Sequence, residues 1–192
     1  MINQPNQAID LGRGLWYLDT VFDQDTFASI KKQYRETATE WELAYPNRLS
    51  SKYRNRESYP LLWEVAENIR LDIVNFVSND VQPISQEIFI DLPGHKLSWH
   101  YDNDNFKVLL QVYMGEKEIK NGGTQWYTGD LNDSLYEQYG ANNIVPIDGL
   151  EKVETVFRPN AGYVNDNTKK KAHGTNSVAQ GTVRESILFL FG

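Results

Sequence analysis

Three residues of this chain have the side-chain types of a metal site. His100 and Asp102 lie in Ser98-Trp99-His100-Tyr101-Asp102-Asn103, and His173 lies in Lys171-Ala172-His173-Gly174. Two imidazoles and one carboxylate suit a facial triad, which holds three positions of an octahedral Fe(II) and leaves three open. Arg184 and Ser186 follow in Val183-Arg184-Glu185-Ser186-Ile187. A buried guanidinium beside a hydroxyl makes a carboxylate clamp. The combination points to non-haem iron chemistry with a dicarboxylate cosubstrate.

The spacing has a physical reason. On a strand, residues i and i+2 point to the same face, so His100 and Asp102 can reach one ion together, and Arg184 and Ser186 can share one cavity. His173 must arrive from a neighbouring strand, which calls for a barrel or sandwich. His95 follows Pro93-Gly94 and reads as a strand-end residue, not a ligand. Glu87 reads as a surface carboxylate and Lys169-Lys170-Lys171 as a solvated loop. Trp99, Trp126 and Tyr127 read as core aromatics or as walls of a substrate pocket. Arg184 has a plainer alternative, an ion pair. Against it, the strand is otherwise apolar and an unpaired charge there is costly.

The elements that must position these residues change character along the chain. Asp23 or Asp25 can cap a helix carrying Phe27, Ile30 and Tyr34. Ser58 and Pro60 open a second helix, in which Leu62, Val65, Ile69, Ile73 and Phe76 form an apolar stripe. From residue 84 the period becomes two. Expected strands are 84–90, 97–101, 106–114, 124–127, 153–157, 162–165, 173–178 and 183–191. Pro93-Gly94, Asn121-Gly122-Gly123, Pro159-Asn160 and Gln180-Gly181 separate some of them. The expected fold is mainly β with N-terminal helices: a jelly roll, or double-stranded β-helix, packed on two or more helices. One domain is expected over residues 1–192, with helical support at about 20–80 and the jelly-roll core at about 84–192. Residues 129–149 read as a long polar loop able to act as a lid.

Composition narrows the classes. With 192 residues, 40% of them hydrophobic, five Trp, eleven Tyr and eight Phe, the chain can bury a core. It has no cysteine, which removes disulfides, thiolate metal sites and Cys nucleophiles. The net charge of −7 argues against nucleic acid and anionic membranes as partners. No apolar run is long enough for a membrane span, and the first residues do not read as a secretory leader, so a cytoplasmic location is expected.

The order of these motifs resembles the Fe(II)/2-oxoglutarate-dependent dioxygenases, in the prolyl 4-hydroxylase-like branch. The resemblance runs from about Ile84 to Phe191. It rests on Leu92-Pro93-Gly94 before the metal strand, His100-Tyr101-Asp102, Val112-Tyr113-Met114, Asn121-Gly122-Gly123-Thr124, Arg158-Pro159-Asn160-Ala161-Gly162 and Arg184-Glu185-Ser186. It implies that His100, Asp102 and His173 hold iron. It implies that Arg184, helped by Tyr113 and Ser186, binds the remote carboxylate of 2-oxoglutarate. The chemistry implied is hydroxylation of an unactivated C–H bond with O2, releasing succinate and CO2, with ascorbate as accessory reductant. Asp102 fits a hydroxylase, since halogenating members carry a small residue there. The chain departs from the pattern in having Arg184 where many collagen-type members have Lys, and Tyr113-Met114-Gly115 where the family has Tyr-Leu-Asn. The branch implies a peptidyl proline as substrate. A free amino acid or other small metabolite stays open, as does a non-catalytic cupin-like metal-binding protein.

Overall fold

The last strand shows how the chain sorts its side chains. In Arg184–Phe191, alternate residues Ile187, Phe189 and Phe191 are buried in an apolar core shared with two helices. Arg184, Ser186, Leu188 and Leu190 face the other way and line a cavity. The period of two thus divides one strand between a structural face and a working face.

The computed structural model describes residues 1–3, 7–37, 40–51, 56–147 and 151–192. The strands are β1 (Ile9–Gly12), β2 (Leu15–Leu18), β3 (Trp41–Tyr45), β4 (Arg48–Ser51), β5 (Pro83–Asp91), β6 (Val108–Tyr113), β7 (Thr124–Tyr127), β8 (Lys152–Glu154), β9 (Gly162–Asp166), β10 (His173–Thr175) and β11 (Arg184–Phe191). Eight form one sheet in the order β1-β2-β9-β6-β11-β5-β4-β3, and three form a second, β10-β7-β8. Every pairing is antiparallel. The architecture is mainly β and jelly-roll-like, with three helices among the described residues: α1 (Gln24–Thr37), α2 (Pro60–Val77) and α3 (Asn132–Tyr139). None is long and apolar enough to cross a membrane.

The helices begin and pack for identifiable reasons. The Asp23 carboxylate accepts from the Thr26 N–H at 2.8 Å, ahead of α1. Pro60 stands in the first turn of α2, where its missing N–H costs nothing. Leu62, Val65, Ala66, Ile69, Ile73 and Val77 of α2 are buried with Phe27, Ile30 and Tyr34 of α1 against the outer face of the large sheet. Phe76 instead packs on Trp16 of β2 at 5.5 Å. On the inner face, Trp126 of β7 meets Leu109, Tyr113 and Tyr163 of the large sheet, closing a second core between the sheets.

The structure corrects several expectations. Two strands, β3 and β4, lie in the part read as helical support, two more, β1 and β2, precede it, and the four complete both ends of the large sheet. They are short, and the turn between β1 and β2 is made by Gly12, Arg13 and Gly14, all with positive φ. Residues 97–101 are not a strand: only His100 bridges, to His173. Residues 129–149 are not a plain loop, because α3 lies within them; residues 148–149 fall outside the described residues.

Candidate metal centre and its cavity

His100 and His173 are brought together by the one bridge between their segments. Each backbone N–H donates to the other's carbonyl at 2.9 Å. The rings stand 4.4 Å apart between centroids. His173 also stacks on Trp126 at 4.5 Å, which fixes its plane. Trp126 is fully buried, so it orients His173 and does not face a substrate. Asp102 lies beside both imidazoles, with Nε2 of His100 3.7 Å from Oδ1 and Nε2 of His173 3.6 Å from Oδ2.

The tautomers follow from the outer contacts. Nδ1 of His100 lies 2.8 Å from the Ser98 carbonyl, and Nδ1 of His173 lies 3.3 Å from the Lys171 carbonyl. A carbonyl only accepts, so both Nδ1 atoms carry the proton and both Nε2 lone pairs face Asp102. Asp102 Oδ2 is buried and has no hydrogen-bond partner. Acceptors therefore face acceptors around a common point, with the three ligand atoms within 4.8 Å of one another. That arrangement fits a cation, and two imidazoles with one carboxylate fit a first-row divalent ion.

The electrostatics of His173 agree, whereas those of His100 favour its proton until a cation takes its place. Burial drives the His173 pKa down to about 4, against the pull of Asp102, so the ring stays neutral and able to ligate near neutral pH. For His100, burial also works downward, but the adjacent carboxylate outweighs it and the pKa is raised. Burial pushes the Asp102 carboxyl upward, and the two histidines bring it below its ordinary value.

The triad opens on a cavity of about 800 Å³, whose walls include Arg48, Asp91, Tyr113, Arg184, Ser186 and Leu188. One row across β4, β5 and β11 places Arg48 and Arg184 on either side of Asp91. Arg184 is buried and gives Asp91 Oδ2 two hydrogen bonds, from Nε at 3.0 Å and Nη2 at 2.8 Å. The charge of Arg184, expected to clamp a carboxylate ligand, is paired in this structure by an aspartate from the neighbouring strand. Tyr113 is also engaged within the protein. Its hydroxyl is engaged by Thr155 Oγ1 at 2.5 Å and accepts from the Thr124 N–H at 3.2 Å. Ser186 faces the cavity across from Tyr113 in the register of β11 and β6.

Other residues also sit differently from their sequence reading. Glu87 lines the cavity. His95 is buried, with Nδ1 3.0 Å from the Pro46 carbonyl and Nε2 3.6 Å from Asp91, so it belongs with the arginines and not with the triad. Lys171 is buried, not solvated, and its Nζ donates to the carbonyls of Arg13, Asp166 and Lys169. Desolvation pushes its pKa down to about 7. Tyr127 is buried and Trp99 half-buried in a third cluster under α3.

Sequence reasoning missed Asn132. Fully buried at the start of α3, its Nδ2 donates to the carbonyls of Tyr127 and Gly129, and its Oδ1 accepts from the Ala172 N–H at 3.0 Å. Its own carbonyl accepts from the Tyr101 hydroxyl at 2.8 Å. Tyr101 sits between His100 and Asp102, and Ala172 precedes His173, so one asparagine joins both ligand segments. An Asn opening an octet whose Leu135, Tyr136 and Tyr139 share one face was the available signal. Further on, Val145 and Asn142 donate their backbone N–H groups to the Trp99 and Tyr101 carbonyls, and Ile144 lines the cavity.

No family model matches the sequence, and no curated protein matches it. Solved structures do match, by fold. HygX from Streptomyces hygroscopicus, with nickel, 2-oxoglutarate and hygromycin B bound, is similar with a TM-score of 0.68 at 13% identity, over 93% of this chain and 82% of that one. The epimerase SnoN, in complex with Fe3+, alpha ketoglutarate and nogalamycin RO, gives 0.67 at 11%, over 93% and 78%. The non-heme alpha ketoglutarate dependent carbocyclase SnoK from nogalamycin biosynthesis gives 0.72 at 9%, over 100% and 86%. The chain therefore has the fold of these 2-oxoglutarate-dependent iron enzymes.

Proposed function

We propose that this chain is an Fe(II)- and 2-oxoglutarate-dependent oxygenase acting on a C–H bond of a small molecule. The observation that carries the reading is the unpartnered Asp102 Oδ2 between two imidazoles whose Nε2 lone pairs face it, at the wall of a large cavity. His100, Asp102 and His173 would hold the metal. Bound there, iron would supply activation of O2 coupled to decarboxylation of 2-oxoglutarate, with succinate and CO2 as products. The chain supplies placement and dryness. Ser98 and Lys171 carbonyls hold the two imidazoles in the ligating tautomer, Trp126 fixes the plane of His173, and the row of Arg48, Asp91 and Arg184 gives the cavity a net positive end.

Two observations favour a small molecule over the peptidyl proline implied by the sequence resemblance. About 800 Å³ suits a cosubstrate together with a compact substrate. Away from the arginines the walls are mixed, with half-buried Phe106, Leu188 and Leu190 beside Glu87 and Gln111, as suits a compact molecule with both apolar and polar groups. The fold neighbours HygX and SnoN hold hygromycin B and nogalamycin RO, respectively. Hydroxylation is the outcome we favour; among neighbours, SnoN is an epimerase and SnoK a carbocyclase.

The test is reconstitution with Fe(II), ascorbate and 2-oxoglutarate under air, with succinate measured against an Asp102→Ala control. Substrate panels of metabolites, free amino acids and proline peptides are then read by mass. A gain of one oxygen marks hydroxylation, loss of two hydrogens marks ring closure, and an isomer of unchanged mass marks epimerisation. Metal binding without succinate above the control would leave a non-catalytic metal-binding protein and reject the oxygenase.

A further inference from the structure

We propose that Arg48, and not Arg184, receives the remote carboxylate of the 2-oxo dicarboxylate, with Asp91 as the positioning residue that holds Arg48 ready. This rests on the oxygenase reading above.

A count of donors separates the two arginines. A guanidinium carries five N–H groups. Arg184 places all five within the protein: Nε and Nη2 on Asp91 Oδ2, Nη2 on Thr175 Oγ1 at 3.0 Å, and Nη1 on the carbonyls of Gly122 at 3.2 Å and Asn176 at 3.5 Å. Nothing is left for a ligand. Arg48 uses two: Nε to Asp91 Oδ1 at 2.5 Å and Nη2 to Asp91 Oδ2 at 2.9 Å. Asp91 thus takes one edge of the guanidinium side-on. The opposite edge, made of Nη1 and the second Nη2 hydrogen, meets no acceptor among the described residues. Two parallel N–H groups on that edge are the fork that a carboxylate fits.

Place and charge agree with the count. The Arg48 side chain is 12% exposed, and its guanidinium lies over the Phe89 ring at 4.7 Å. Water is thereby kept from one face, and unmet donors in such a setting are costly. Arg48 lines the cavity that the triad opens on, and its charge bears on His100 and on Tyr163. Two guanidiniums share one carboxylate, so among the described residues the cluster holds one uncompensated positive charge. His95 does not add to it, since burial lowers its pKa despite Asp91. An anion entering the cavity would supply both the missing charge and the missing acceptors.

The test compares 2-oxoglutarate with 2-oxopentanoate, which keeps the 2-oxo acid and lacks the remote carboxylate. Both are titrated calorimetrically into the Ni(II)-loaded protein, so no turnover is needed. The wild type should prefer 2-oxoglutarate by about 10- to 100-fold, the size expected of a charge-assisted contact. Arg48→Gln should erase most of this preference while leaving Ni(II) affinity within about threefold, as no ligand is touched. Arg48→Lys keeps a cation beside Asp91 and should restore part of it, which separates binding from folding. Arg184→Gln should keep the preference. The assignment is overturned if the preference survives in both Arg48 variants, or if it vanishes in Arg184→Gln alone. A wild-type protein that takes Ni(II) and binds neither acid overturns the oxygenase reading itself, and the assignment with it.

Discussion

Asn132 should be the most sensitive polar residue away from the triad. Replacing it by alanine removes four side-chain hydrogen bonds: to the Tyr127 and Gly129 carbonyls, from the Ala172 N–H and, longer, from the Tyr101 hydroxyl. Each bond contributes about 1 kcal/mol net, and a buried group left without a partner costs about 1–3 kcal/mol. The residue is fully buried, so water cannot repair the loss cheaply. A destabilisation of about 3 kcal/mol is expected, which for a chain of this length lowers the melting temperature by roughly 6–12 °C. The same change loosens Ala172 beside His173 and the turn that Tyr101 reaches between His100 and Asp102. Ni(II) affinity should therefore fall by about 10- to 100-fold, as for other partners that brace metal ligands. Asn132→Asp keeps the acceptor for Ala172 but sets a carboxylate against two carbonyls, so it should do at least as much harm. Thermal melts followed by circular dichroism, with and without Ni(II), measure both effects. A loss below about 2 °C with unchanged Ni(II) affinity would show that α3 docks independently of the ligand segments.

Three further outcomes are expected. Ni(II) or Co(II) at a hundred times its dissociation constant should stabilise the wild type by about 2.7 kcal/mol, a rise of roughly 5–11 °C in melting temperature, and Asp102→Ala should abolish the rise; an equal rise in the variant would remove Asp102 from the site. Gly162→Ala should cost about 3 kcal/mol or more in urea unfolding, because the new Cβ would stand 2.1 Å from the Gln111 carbonyl of the paired strand β6; a neutral result would contradict that close approach. Burial works to raise the Asp91 pKa, but Arg48 and Arg184 hold it below its ordinary value of 3.8. A depressed carboxylate pKa stabilises the fold above the unfolded value and loses that contribution as pH falls through the folded value. Urea midpoints of wild type and Asp91→Asn should therefore differ most at neutral pH and converge below about pH 4, and parallel curves would rule out the linkage.

What the sequence disclosed and what it hid have physical causes. The cluster of His100, Asp102 and His173 was legible because ligand chemistry restricts residue types, although the strand expected to space the first two did not form. The alternation in β11 was legible because each of its faces meets a different environment. Asp91 was not legible as the partner of Arg184, since the two meet only through the register of β5 and β11, which no local pattern states. Arg48 was hidden for the same reason, on a four-residue strand in a region whose stronger signal is helical. Lys171 looked solvated because a run of lysines usually is, and only the folded chain brings three carbonyls round its ammonium. These omissions share a form: each is a polar residue whose partner lies across a sheet or a loop. They bear directly on the chemistry. An arginine in an apolar strand does imply a counter-charge, and the structure supplies it from within as Asp91. On that proposal the demand for an anion passes to Arg48, on the strand beside Asp91, whose free edge meets no acceptor among the described residues. On the proposal made above, where 2-oxoglutarate docks depends on which of two neighbouring guanidiniums the fold has already satisfied.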